Sequence, residues 1–193
     1  MTNASRATLL HQLAKYAYRY SDEKVFPLVS GEMSNEYLDC KQALSRPETM
    51  AALGPVVCGL LAPSAVAIGG LTMGADPIAM STSQASAGTD HPVRWFSVRK
   101  EAKKHGLQKL IEGSVERGEQ VAVVDDVVTT GKSTIQAIHA CRDAGLEIAQ
   151  VIVLVDRQQF QGMQNIARAA SCPLHAICTK DEIAAEWRKL HGG

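Results

Sequence analysis

Residues 120–134 read Q-V-A-V-V-D-D-V-V-T-T-G-K-S-T. The apolar run is broken only by Asp125 and Asp126, and it does not alternate with polar residues. That pattern marks a strand covered on both faces, as strands are in a parallel sheet. Two adjacent carboxylates at the end of such a strand are costly unless they face a polyol, a cation or solvent, which makes them functional candidates. Thr129, Thr130, Gly131, Lys132 and Ser133 follow with hydroxyls, backbone N–H groups and one ammonium. Beyond them Thr134, Ala137, Ile138, Cys141 and Ala144 recur at helical spacing, and Gly145 stands where a left-handed terminator is expected. Strand, hydroxyl-rich turn and helix N-terminus together form an anion cradle that suits a phosphate monoester. Taken alone, T-T-G-K-S could be an ordinary helix cap after an acidic turn. A P-loop is ruled out by spacing, because that motif needs glycine five residues before Gly131 and the chain has Asp126 there.

On either side of this unit, strands and helices alternate. Residues 4–20 predict an amphipathic helix with Leu9, Leu10, Leu13 and Ala17 on its buried face. Residues 25–39 are turn-rich and predict short strands around Ser30 and Gly31. Ser45 and Glu48 have the spacing of a capping box for a helix over 46–61, bent at Pro55. A strand is expected over 64–69. The connection G-G-L-T-M-G-A then reaches Asp76 and Pro77, read as N-cap and first helical residue. Further strands are expected over 93–98, 150–157 and 174–178, with a helix or loop over 105–118 and a helix at the C-terminus. This order predicts a parallel sheet flanked by helices, with ligands at the carboxyl ends of its strands, after residues 69, 98, 126 and 156.

Composition narrows the function. The 193 residues carry 20 Lys plus Arg against 20 Asp plus Glu, and this zero net charge disfavours a general nucleic-acid or anionic-membrane binder. The length suits a single domain over 1–193. Five scattered cysteines without a C-x-x-C pair suggest reduced core thiols, neither a disulfide framework nor a zinc site. The first twenty residues lack the apolar core of a signal peptide, so a cytoplasmic protein is expected. Residues 49–75 carry no charge, but Gly54, Pro55, Pro63, Gly69, Gly70 and Gly74 divide them into pieces too short to span a bilayer.

In this neutral chain, Arg99, Lys100, Lys103, Lys104 and His105 form a local positive patch against Glu101 alone. Such a run is usually a solvated face, yet it also has the composition needed to neutralise a departing diphosphate. Arg157 follows the 150–156 strand at the expected ligand edge, where a guanidinium can grip a planar carboxylate with two hydrogen bonds.

The stretch V-V-D-D-V-V-T-T-G-K-S-T at 123–134 resembles the phosphoribosyl-diphosphate signature of the type I phosphoribosyltransferases. Three further segments resemble the orotate-using branch of that family. S-V-R-K-E-A-K-K-H-G at 97–106 is similar to its catalytic loop, F-P-L-V-S-G-E-M-S-N-E-Y at 26–37 to its substrate hood, and G-L-T-M-G-A-D-P at 70–77 to its diphosphate-side loop. The resemblance runs from about residue 22 to 182. It implies the type I phosphoribosyltransferase fold, an α/β architecture whose central parallel sheet is flanked by helices, with a small N-terminal hood from about 20–45. It also implies Mg²⁺-dependent transfer of phosphoribose from phosphoribosyl diphosphate to orotate. Lys103, His105, Asp125 and Asp126 would be catalytic. Arg99, Lys100, Lys103 and His105, together with Asp125, Asp126, Val127, Val128, Thr129, Thr130, Gly131, Lys132 and Ser133, would bind phosphoribosyl diphosphate. Thr129 and Arg157 would bind orotate, and the metal would be held mainly by substrate. The family further implies a homodimer in which the basic loop serves the neighbouring subunit. Val29 replaces a lysine found in some members, and the hood's aromatic residues are Phe26 and Tyr37. A transferase for another base, or a non-enzymatic sensor of phosphoribosyl diphosphate, would share the 125–133 cradle.

Overall fold

The computed structural model describes residues 3–27, 33–101 and 110–192. Helix α1 (Asn3–Tyr16) leads to the short strands β1 (Tyr18–Tyr20), β2 (Phe26–Pro27), β3 (Met33–Ser34) and β4 (Glu36–Leu38). Helices α2 (Cys40–Leu44) and α3 (Pro47–Cys58) follow. Next come β5 (Ala67–Leu71), α4 (Ala75–Ser86), β6 (Arg94–Val98), β7 (Ile111–Gly113) and β8 (Gln120–Val128). The chain continues through α5 (Lys132–Asp143), β9 (Glu147–Asp156), α6 (Gly162–Ala170), β10 (Leu174–Thr179) and α7 (Lys180–Leu190). Six strands form one sheet in the order β10-β9-β8-β5-β6-β7. The first five are mutually parallel, and β7 runs antiparallel to β6 at the edge.

The apolar run of β8 is explained by its position between β5 and β9. Ala122 and Val124 face a core built with Leu9, Leu53, Ile78 and Ile183. Val121 and Val123 face a second core with Phe96, Ile138 and Ile166. Burial on both faces, at about 25 cal/mol per Å² of apolar surface, is the main stabilising term for such strands. The polar side chain of Gln150 is buried on β9, where its oxygen accepts the Ala62 N–H and its amide donates to the Leu60 carbonyl at 3.1 Å. Its burial is therefore satisfied.

The hood consists of two antiparallel pairs, β1 with β4 and β2 with β3. Glu36 on β4 anchors it, accepting from the Tyr18 hydroxyl at 2.7 Å and from the Lys180 ammonium at 2.6 Å. Phe26 and Tyr37 stack with ring centroids 5.7 Å apart.

Several local expectations are corrected. Helix α1 ends at Tyr16 because Tyr18–Tyr20 pairs with Glu36–Leu38. Ser45 caps no helix start; it is the C-cap of α2, and α3 begins with Pro47 at its first position, a residue whose missing N–H costs nothing there. Pro55 lies inside α3, which runs on to Cys58. Helix α4 starts two residues earlier than expected, with Gly74 as N-cap, because the Asp76 carboxylate is engaged elsewhere. Strand β7 and helix α6 are further elements that periodicity missed; both are short. Gly145 has φ +82° immediately after the Ala144 C-cap, as the left-handed terminator requires. Cys40, Cys141 and Cys178 are buried thiols, whereas Cys58 and Cys172 are partly exposed; all five are free. Among the described residues no helix is long and apolar enough to cross a membrane.

Candidate active site

The carboxyl ends of β5, β6, β8 and β9 converge on one edge of the sheet. At the end of β8 the turn Thr129–Thr130–Gly131 passes directly into α5, with Gly131 in the left-handed region at φ +81°. A β-carbon on Gly131 would lie 2.8 Å from Ile166 Cγ1 and 2.9 Å from the Gly162 carbonyl, so space as well as φ requires glycine. Asp125 and residues 127–133 line a cavity of about 130 Å³ at this turn. The first N–H groups of α5 open there without helical acceptors, which gives an anion both hydrogen-bond donors and a favourable dipole. The cradle is braced from α6, where the Asn165 side-chain amide donates to the Thr130 carbonyl at 3.1 Å.

The two carboxylates part company, as successive strand side chains do. Asp125 turns toward α5, where its Oδ2 accepts the Thr134 hydroxyl at 2.6 Å and its Oδ1 accepts the Asp126 N–H at 3.0 Å. Asp126 turns toward α2 and α4. Its Oδ1 accepts the Val127 N–H at 2.9 Å, and its Oδ2 lies 3.8 Å from the Lys41 ammonium. Gly74 lets the diphosphate-side loop close on Asp126, since a β-carbon there would sit 2.4 Å from Asp126 Oδ1. Both carboxylates are nearly buried, at 5% and 9% exposure. Burial pushes both carboxyls above the ordinary range, Asp125 to about 6, opposed at Asp125 by the Thr134 hydrogen bond and at Asp126 by the Lys41 charge. Raised values at a sheet edge where ligands bind point to a functional site.

The diphosphate-side loop after β5 is held by Asp76. Its carboxylate accepts the Thr72 hydroxyl at 2.6 Å and the Ser97 hydroxyl of β6 at 2.7 Å. The Thr72–Met73 peptide is cis. Arg99 follows β6 directly. Its N–H reaches the Leu110 carbonyl at 2.8 Å, its Nη1 lies 3.4 Å from Glu112, and its buried Nε has no hydrogen-bond acceptor among the described residues. Lys100 offers its carbonyl to Gln136 of α5 at 3.1 Å. Arg157 follows β9 and lies beside the cradle, its N–H bonded to the Val128 carbonyl at 3.0 Å. Its Nε is likewise buried and unpaired. Both guanidinium groups stand at the same sheet edge, Arg99 after β6 and Arg157 after β9.

The geometry thus brings together Asp125, Asp126, the 127–133 turn, Arg99, Lys100 and Arg157. Lys103, His105 and Val29 lie outside the described residues. Lys41, Gln136 and Asn165 were not anticipated, because each reaches the site from a separate element. Asp76 and Ser97 lie within the 70–77 and 97–106 segments, where Asp76 was expected only as a helix cap and Ser97 was given no role.

No family model matches the chain. The orotate phosphoribosyltransferase of Aquifex aeolicus is 40% identical over 184 residues, covering 95% of this chain and all of the relative. The crystal structure of Mycobacterium tuberculosis orotate phosphoribosyltransferase with inorganic phosphate superposes with a TM-score of 0.80 at 29% identity, covering 94% of this chain and 99% of that one. The same enzyme in complex with 5-phospho-α-D-ribosyl 1-diphosphate gives a TM-score of 0.74 at 28% identity, covering 95% and 93%. The sheet order, hood and β8–α5 cradle are accordingly those of a type I phosphoribosyltransferase. With 40% identity across the whole length of a relative, the chain belongs to the orotate phosphoribosyltransferase family.

Proposed function

We propose that this edge of the sheet joins orotate to 5-phospho-α-D-ribose 1-diphosphate, giving orotidine 5'-phosphate and diphosphate in pyrimidine synthesis. The observation that carries the reading is the cavity at residues 125–133, an anion cradle directly beside two buried carboxylates. In the proposed mechanism, the α5 N–H groups, the Thr130 and Ser133 hydroxyls and Lys132 grip the 5'-phosphate. Asp125 and Asp126 accept hydrogen bonds from the ribose hydroxyls. Anchoring the phosphoribosyl group at both ends fixes C1 against the incoming ring nitrogen. The C1–O bond to diphosphate loosens ahead of bond formation, so positive charge develops on the ribose and negative charge on the leaving group. Arg99 and Lys100, with Lys103 and His105, neutralise the latter. Arg157 and Thr129 hold orotate, the guanidinium pairing with its carboxylate.

Among the described residues no group of three metal-ligating side chains forms a cage. Mg²⁺ would keep most of its waters and be held chiefly by substrate oxygens, with the Asp125 and Asp126 carboxylates as the oxygen donors nearest the cradle. Bound with the diphosphate, Mg²⁺ would add charge stabilisation to the leaving group. We further propose a cytoplasmic homodimer in which the basic loop carrying Lys103 serves the cradle of the neighbouring subunit. The five free thiols favour a reducing compartment.

The test follows loss of orotate absorbance with phosphoribosyl diphosphate and Mg²⁺, in wild type and in Lys103→Ala. Consumption that needs every component and collapses in the variant is expected. Folded wild-type protein that binds phosphoribosyl diphosphate but leaves orotate intact would redirect the reading to another base or to a sensor. Mixing inactive Asp125→Asn and Lys103→Ala subunits should restore part of the activity if sites are shared.

A further inference from the structure

Lys41 is a cationic neighbour of the site whose charge the proposed mechanism leaves unused. It stands on α2, immediately beyond the hood, with its side chain about half exposed. Asp39 clamps the ammonium at 2.8 Å while also capping α2 through the Lys41 N–H at 3.2 Å. This clamp brings Nζ within 3.8 Å of Asp126 Oδ2. Among the described residues, the ionisable groups facing Asp126 are Asp125 on its own strand and Asp39, Cys40 and Lys41 at the start of α2. Of these, Lys41 alone is cationic. Cys40 is fully buried and its thiol is pushed well above its ordinary value, chiefly by burial, so it adds no charge near neutrality.

We propose that Lys41 is a positioning residue for the ribose subsite, supplying Asp126 with its counter-charge from a distance at which it does not consume the carboxylate's acceptor oxygen. An ammonium at 3.8 Å attracts the carboxylate but makes no hydrogen bond to it. Oδ2 therefore remains able to accept from a ribose hydroxyl. A lysine at hydrogen-bond distance would compete with substrate for that oxygen, and no lysine at all would leave a nearly buried carboxylate beside Asp125 uncompensated. Asp39 sets this intermediate distance by drawing the ammonium toward itself. The same arrangement ties the hood to the reaction centre, because α2 directly follows β4. The inference rests on the reading that Asp126 receives a ribose hydroxyl.

The test compares wild type, Lys41→Met, Lys41→Arg, Asp126→Asn and the Lys41→Met/Asp126→Asn double variant. Calorimetric binding of phosphoribosyl diphosphate, steady-state kinetics and melting temperature are measured for each. Lys41→Met is expected to weaken phosphoribosyl diphosphate binding roughly twofold to fivefold, the scale of a partly exposed charge pair. The rise should appear in KM for that substrate and not for orotate, Lys41→Arg should recover most of it, and melting should barely move. In the Asp126→Asn background, Lys41→Met should add no further loss, since coupled groups are not additive. Wild-type binding by Lys41→Met, or a loss that persists undiminished in the Asp126→Asn background, would overturn the proposal. Should Lys41→Met fail to fold, Lys41→Gln provides the same comparison. Asp126→Asn that binds phosphoribosyl diphosphate as tightly as wild type would instead defeat the ribose reading of Asp126.

Discussion

The Thr134 hydroxyl donates to Asp125 Oδ2 at 2.6 Å, joining the first turn of α5 to the end of β8 inside the candidate site. A buried carboxylate that keeps its charge depends on such donors, and a hydrogen bond to a charged group is worth about 1.5–3 kcal/mol. Thr134→Val keeps the shape and removes the donor. Steady-state kinetics should show kcat/KM for phosphoribosyl diphosphate falling at least about tenfold, with Thr134→Ser retaining most of the activity.

The raised carboxyl of Asp125 gives unliganded stability a definite pH dependence. Burial lifts it to about 6, whereas the unfolded carboxyl titrates near 3.9. Between those values the folded state holds a proton that the unfolded state has lost. The stabilisation from this group is thus full below about pH 4 and disappears as pH rises through about 6. Asp125→Asn removes the titration. Thermal melts from about pH 4 to 7 should show wild type losing ground to the variant by a few degrees, at about 2–4 °C per kcal/mol for a chain of this size.

Gly131 stands in the left-handed region with Ile166 and the Gly162 carbonyl closing over it. Alanine there is strained by φ and meets atoms that belong to α6. Chemical denaturation of Gly131→Ala should report a loss of about 1–3 kcal/mol. The KM for phosphoribosyl diphosphate should rise together with it, because the same residue shapes the cradle.

Asp76 holds the hydroxyls of Thr72 and Ser97 on its two carboxylate oxygens. Removing it in Asp76→Ala frees the diphosphate-side loop from β6. Kinetics varied in each substrate should show a several-fold higher KM for phosphoribosyl diphosphate and a nearly unchanged KM for orotate. Asp76→Asn, which keeps one acceptor oxygen, should fall between the variant and wild type.

Much of the site could be read along the chain where its parts are neighbours in sequence. The β8 strand, its terminal carboxylates, the hydroxyl-rich turn, α5 and the Gly145 terminator occupy residues 120–145, and periodicity and turn chemistry are themselves local signals. The same local rules failed at Ser45 and Asp76. Ser45 has the spacing of a cap but ends α2, and the Asp76 side chain finds better partners across the loop and on β6 than at its own helix start. Strand β7 was missed because three residues carry too little pattern, and its antiparallel pairing with β6 makes the sheet mixed at one edge.

By itself, the sequence determined that buried parallel strands would place an anion cradle and two carboxylates at a sheet edge, since β8 must be covered on both faces and its polar end must emerge at a turn. Only the tertiary structure decided how that edge is completed. The order β9-β8-β5-β6 brings Arg157, the cradle, the Asp76 loop and Arg99 side by side. The packing of α2 on β8 brings Lys41 to Asp126, and α6 brings Asn165 to Thr130. These pairings depend on sheet register and on the crossovers between strands, which join residues far apart in sequence and leave no periodic trace in any one segment.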